Sequence, residues 1–175
     1  MISARTRGEP RALRSPEAGY PLASGLVTAI RPLAPADHDV WLPLWRGYLT
    51  FYESELSAEQ TELTWHRLLD PQFPIHGALA TDEAGDAIGF VHWLTHAATW
   101  SATPYCYLED LFVAPDTRGT GTGRALIAHV TGWAREHGAA KVYWLTHETN
   151  TTARALYDRV ATGTGFVHYE IGLDS

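Results

Sequence analysis

The chain predicts a single mixed α/β domain built on a strongly twisted, mostly antiparallel sheet flanked by helices. Three observations carry that expectation. Short runs with the two-residue alternation of strands interleave with longer segments whose apolar residues recur every three or four positions. A turn-rich link, Asp82-Glu83-Ala84-Gly85-Asp86, joins two strand runs and calls for antiparallel pairing between them. The 175 residues suffice for one well-buried core but not for two.

Taken in order, residues 1–25 are expected to form a loose arm. Arg5, Arg7, Arg11 and Arg14 lie among Pro, Gly and Ser, but Glu9, Glu17 and the prolines spoil the amphipathic pattern of a transit peptide, and the apolar stretch of a secretory leader is missing. The domain is expected over residues 26–175. Residues 26–31 alternate as a strand, and Pro32 and Pro35 close it. A helical pattern then begins at Asp37, and over residues 40–56 Trp41, Leu44, Trp45, Tyr48, Tyr52 and Leu56 fall on one aromatic face. Ser57 suits the cap of a second helix over residues 59–69, which must stop before Asp70-Pro71 because a residue preceding proline disfavours helical geometry.

Residues 77–81 and 87–95 read as the two hairpin strands, and residues 105–113 as the strongest strand of all. A loop over residues 114–122 leads into a helix over 123–137, where Leu126, Ile127, Val130, Trp133 and Ala134 share a stripe and Gly138 suits the C-terminal cap. A strand over 141–146, a helix over 151–160 and a final strand over 166–171 complete the order.

Composition narrows the function. With 45% hydrophobic and 19% charged residues, seven Trp and eight Tyr, the chain is globular. A net charge of -7 disfavours nucleic acid, whose phosphates call for clustered Lys and Arg. Cys106 is the lone cysteine, so no intramolecular disulfide can form and a reducing, cytoplasmic setting is expected. No apolar run reaches the roughly 20 residues of a membrane span, so no membrane partner is expected.

The informative segment is Val113-Ala114-Pro115-Asp116-Thr117-Arg118-Gly119-Thr120-Gly121-Thr122-Gly123-Arg124-Ala125, a glycine-rich turn feeding a helix N-terminus. Unpaired helix amides carry positive partial charge, and glycines let them approach a phosphate. A P-loop would need Gly-Lys-Ser/Thr where Gly123-Arg124-Ala125 stands. A Rossmann fingerprint would need Gly-x-Gly-x-x-Gly close behind its strand, whereas this run is Gly119-x-Gly121-x-Gly123 after a Pro-containing spacer.

Arg118, two residues, Gly121, one residue and Gly123 instead resemble the cofactor motif of the GNAT acyltransferase superfamily. The resemblance spans roughly residues 26–171. The string Tyr107-Leu108-Glu109-Asp110-Leu111-Phe112-Val113, with Tyr143-Trp144-Leu145-Thr146, Asn150 and Ala153-Arg154-Ala155-Leu156-Tyr157-Asp158, is similar to the polyamine and histone acetyltransferase branch.

The resemblance implies the GNAT fold and acetyl-CoA as donor. It places the pyrophosphate on the amides of Arg118, Gly119, Thr120, Gly121, Thr122, Gly123 and Arg124, with Asn150, Arg154 and Tyr157 as further cofactor contacts. Main-chain groups of Leu111, Phe112 and Val113 would meet the pantetheine arm where the strands splay, and a freed N–H of Phe112 or Val113 would meet the thioester oxygen. Tyr157 occupies the general-acid position, where a phenol can give a proton to a thiolate; the competing reading is an aromatic buried with Ala153, Leu156 and Val160.

Glu109 is the candidate base, directly or through held water, because adjacent strand carboxylates face opposite ways and one should line the groove; Asp110 takes the other side. Either could equally be a solvated strand charge.

His92 and His96 stand four apart, but in a strand pattern and without the HExxH glutamate, so no metal is expected. No Ser, Thr or Cys lies in a nucleophile-base arrangement, which disfavours an acyl-enzyme. An acidic chain with Glu53, Glu55, Glu109 and Asp110 near the groove, and Trp45, Tyr48, Tyr52, Trp93 and Trp144 as walls, suits an ammonium-bearing acceptor: a polyamine, an amino acid, an aminated drug or the lysine of a peptide. A homodimer is expected by analogy. Two other classes stay open, a non-catalytic CoA-binding module and a dinucleotide-binding oxidoreductase, which NAD rather than acetyl-CoA would stabilise.

Overall fold

A computed structural model of the chain describes residues 29–173. The expected arm over residues 1–25 and the opening residues 26–28 of the first expected strand lie outside the described residues. Five strands form one sheet in chain order: β1 (Ala29–Pro32), β2 (Ile75–Thr81), β3 (Ala87–His96), β4 (Tyr105–Val113) and β5 (Val142–Tyr143). The first three pairings are antiparallel and β4 with β5 is parallel. Helices α1 (His38–Phe51) and α2 (Ala58–Leu69) join β1 to β2, α3 (Thr122–Glu136) joins β4 to β5, and α4 (Thr151–Val160) follows β5. Among the described residues no helix is long and apolar enough to cross a membrane.

Alternation along each strand feeds two cores. Leu79, Phe90 and Phe112 pack with Trp41, Trp45 and Trp65 from α1 and α2. Ala78, Ala80, Val91, Trp93, Cys106 and Leu108 pack on the opposite side with Leu126, Ile127, Val130 and Ala134 of α3. Both faces of the sheet are therefore covered by helix, as an α/β core requires.

Local chemistry sets the helix ends. Asp37 enters α1 while gripping Arg31 through two contacts of 2.6 and 2.7 Å and accepting the Ala34 N–H at 2.8 Å. Ser57 caps α2 by accepting the Gln60 N–H at 3.1 Å. The periodicity of α1 would carry it to Leu56, but the helix stops at Phe51. Glu53 turns left-handed (φ 52°), and Ser54 N–H and Glu53 N–H return to Leu49 O and Thr50 O at 3.0 and 3.1 Å, a Schellman closure that spends the last carbonyls.

Two strand expectations fail at the C-terminal end. The strand expected over 141–146 is reduced to Val142–Tyr143, and the strand expected over 166–171 does not form. Gly165 adopts φ 78° ahead of that segment, which then stands off the sheet with Phe166, Tyr169 and Ile171 each more than 85% exposed (87%, 88% and 86%).

Candidate active site

The site opens where β4 and β5 part. Among the described residues their pairing runs only through Cys106 with Val142 and Tyr107 with Tyr143, so the rest of β4 has β3 on one side and no described strand on the other. Ala114 N–H donates to Ile88 O at 2.9 Å, and strand alternation then turns the main chain of Phe112 toward β3 and that of Leu111 and Val113 toward the opened edge. Of the two residues expected to free an N–H, Val113 therefore fits and Phe112 gives way to Leu111. The side chains of all three serve the cores.

A β-bulge shapes the same stretch. Asp110 faces His92 and Leu108 faces Trp93, which leaves Glu109 as the extra residue of β4. The bulge resets the alternation, so that Leu108 lies on the α3 side while Asp110 and Phe112 lie on the α1 side. Glu109 is exposed on the bulge. Partial burial, and then the Asp110 charge beside it, raise its carboxyl above the ordinary carboxylate value.

Tyrosines from three elements ring the opening. Burial first, and then the Asp110 carboxylate, raise the Tyr48 phenol far above its usual range. Tyr52 is raised by burial and by Asp110, against the opposing influence of the nearby Asn150 and Thr146 side chains, which places the end of α1 across from the start of α4. Tyr157 packs edge-on against Trp144 with centroids 5.3 Å apart, and burial pushes its phenol up to about 12. Tyr107, pushed up to about 12 by burial and then by the Glu109 charge, stands at the mouth of the split.

The glycine loop lies at the other end of β4. Gly119 and Gly121 are left-handed (φ 83° and 94°), and Gly121 is the N-cap of α3. The first intrahelical bond is from Ala125 N–H to Gly121 O at 3.0 Å, so the amides of Thr122, Gly123 and Arg124 have no helical acceptor. No side chain caps them. Thr122 is buried and its hydroxyl meets that of Thr120 at 2.9 Å, which keeps both hydroxyls off the amides. This bare, glycine-lined helix end fits a phosphate group.

Arg118 lies back on the strand end: its Nε donates to Val113 O at 3.2 Å and its guanidinium sits 5.5 Å from the Phe51 ring. Asn150 caps α4 by accepting the Ala153 N–H at 3.3 Å, and Arg154 donates to Glu148 O at 2.8 Å.

Two expected wall residues are misplaced. Trp93 is 2% exposed on the α3 side, against His76, His129 and Trp133, because it stands one position along β3 from His92 and so on the opposite face. Trp45 is stacked in the other core between Trp41 and Tyr48. Tyr107, Thr146 and above all His92 reach the site without a local signal in the sequence; His92 arrives as the cross-strand partner of Asp110, which only the register reveals.

Comparison with known proteins bears on the family and the fold. The profile described as the acetyltransferase (GNAT) family matches residues 41–161. The D-amino-acid N-acetyltransferase HPA3 of Saccharomyces cerevisiae is 39% identical over 142 residues, 81% of this chain and 88% of that protein. A mycothiol acetyltransferase of Salinispora tropica is 32% identical over 93% of this chain, which spans about half (53%) of that protein. Among solved structures, the ribosomal-protein-alanine N-acetyltransferase of Brucella melitensis superposes with a TM-score of 0.70 at 21% identity, over 83% of this chain and 99% of that one.

Proposed function

The chain belongs to the GNAT acetyltransferase family, and we propose that it transfers acetyl from acetyl-CoA to the primary amine of a small cation-bearing acceptor, by direct attack with both substrates bound. The observation that carries the reading is the convergence on one opening of the free loop amides, the unpaired edge of β4, the Asp110 carboxylate and the Tyr157 phenol.

The GNAT family uses acetyl-CoA, which supplies the thioester. In this reading the amides of Thr122, Gly123 and Arg124 hold phosphate, with the flanking residues Arg118, Gly119, Thr120 and Gly121 shaping the loop and Asn150 and Arg154 bordering it. The outward N–H groups of Leu111 and Val113 line the pantetheine arm, and one of them stabilises negative charge on the acyl oxygen. Asp110, with Tyr48 and Tyr52 beside it, receives the acceptor ammonium. Glu109, its carboxyl raised toward neutrality, draws off the proton directly or through water. Tyr157, held protonated by burial, gives a proton at the sulfur.

The similarity to a D-amino-acid acetyltransferase supports testing amino acids first, and the β4 string keeps polyamines and lysine peptides in the set. The reading also includes a cytoplasmic setting, which the buried lone Cys106 suits, and a homodimer. The test is thiol release from acetyl-CoA across D- and L-amino acids, polyamines, lysine peptides and aminoglycosides, against a control without acceptor. Release confined to cationic amines supports the reading; release only with neutral or anionic amines, or with none, overturns it.

A further inference from the structure

Beneath the acceptor side of the groove lies a hydrogen-bonded chain with a fixed direction. Trp41 is fully buried, and its indole Nε1–H donates to His92 Nε2 at 3.1 Å. His92 Nδ1 stands 2.9 Å from Asp110 Oδ2. An indole nitrogen is only a donor, so Nε2 must offer its lone pair, the ring proton sits on Nδ1, and Nδ1–H donates to the carboxylate. His92 is 2% exposed and Asp110 keeps 14% of its side chain at the surface, so the chain runs from the α1 core outward to the groove.

Packing alone does not call for this arrangement. The His92 ring sits 4.5 Å from Phe90, 5.7 Å from Trp45 and 6.1 Å from Trp41, centroid to centroid, in a pocket where a phenyl ring would avoid the cost of burying a polar group. The β-bulge at Glu109 is what brings Asp110 opposite His92; without it Asp110 would share the α3 face with Leu108.

We infer that His92 and Trp41 are positioning residues that hold the Asp110 carboxylate in one orientation, with Oδ2 engaged from below and Oδ1 presented to the acceptor ammonium. This rests on the proposed role of Asp110 as the acceptor site. A carboxylate fixed in advance loses little freedom when the amine arrives, so the contribution falls on acceptor binding rather than on acetyl-CoA binding.

The test is steady-state kinetics of His92→Phe, His92→Asn and Trp41→Phe with the best amine from the panel, each also combined with Asp110→Asn. His92→Phe is expected to raise the amine KM roughly tenfold or more, as loss of a hydrogen bond to a charged group does, with the acetyl-CoA KM unchanged. His92→Asn, which can place an N–H near the Nδ1 position, should recover much of the loss, and His92→Phe should have little further effect once Asp110 is Asn. Equal losses with and without Asp110, or a loss shared with acetyl-CoA, would overturn the inference.

Should His92→Phe not fold, Trp41→Phe, which removes the indole N–H together with part of the buried ring system, must show the same dependence on Asp110. Nitrogen-15 NMR of the wild-type His92 ring tests the chain without turnover, and so separates its failure from failure of the proposed activity. Protonated Nδ1 with bare Nε2 supports the inference; the opposite tautomer overturns it.

Discussion

Tyr107 and Tyr143 form the last cross-strand pair before β4 and β5 part, their rings 5.0 Å apart between centroids. Everything assigned to chemistry lies on the open side of that pair. Glu109 follows two residues later, the outward main chain of Leu111 and Val113 comes next, and the loop amides close the run. Tyr157 stands across the split, on the helix that follows β5. Replacing Tyr157 with Phe removes only a hydroxyl. Turnover should fall about a hundredfold or more, as for loss of a general acid, while CoA affinity by calorimetry stays the same. Unchanged turnover would reduce Tyr157 to the partner of Trp144.

The pH profile of the wild type follows from the same group. An acid works while protonated, so activity depending on Tyr157 falls only as pH rises through its pKa, which burial places at about 12. Turnover should therefore show no descending limb from this phenol between roughly pH 7 and 10, below the usual tyrosine range. A limb in that interval that vanishes in Tyr157→Phe would contradict the buried placement.

As the proposed base, Glu109 would set the other side of the profile. A base works while deprotonated, so the rate falls as pH drops through its pKa, which burial and then Asp110 raise above the ordinary carboxylate value. The acid limb of kcat should lie correspondingly high. Asp110→Asn removes one of the two causes and should move that limb to lower pH, whereas Glu109→Gln should abolish it with a large loss of rate. An acid limb untouched by Glu109→Gln would assign the base elsewhere.

Much of this site was readable along the chain because its signals are local. The glycines that turn left-handed, the Ser57 and Asn150 caps and the stripe of α3 depend on neighbours within a few residues. What escaped depends on register. Strict alternation cannot announce a bulge, so the face of Asp110 and its pairing with His92, 18 residues away, stayed hidden. Trp93 read as a groove wall because nothing local tells which sheet face is which. The aromatic stripe over 40–56 likewise pointed past Phe51, since periodicity does not reveal that Glu53 will take a left-handed turn.

The loop offers a graded test. Alanine at Gly121 must adopt a φ of 94°, which costs a residue with a Cβ about 1–2 kcal/mol and distorts the N-cap that directs the free amides. Alanine at Gly123 keeps helical geometry and would bring its Cβ 3.2 Å from Leu156 Cδ2, a side chain that can yield. Gly121→Ala should thus weaken CoA binding roughly tenfold, and Gly123→Ala less, by calorimetry on folded protein. The reverse order would place the phosphate away from the N-cap.

The segment after α4 offers a contact for the proposed dimer. Val167, Tyr169, Ile171 and Leu173 alternate with His168, Glu170 and Gly172, the pattern of a strand with one apolar face, yet these four apolar side chains are 71–88% exposed. Beside the split, β5 presents a two-residue edge with no strand beyond it in the described sheet. An exposed segment with the apolar alternation of a strand and an unpaired sheet edge are complementary, and exchange between two copies would satisfy both. Burying side chains of this size gains roughly 1.5–3 kcal/mol each, and exchange would bury the set from both copies, which works against the cost of association. Wild-type protein should sediment as a dimer, and the double substitution Tyr169→Lys and Ile171→Lys should sediment as a monomer that retains the circular dichroism of the folded sheet. A monomeric wild type, or a dimer that survives both lysines, would show that this segment is not the contact.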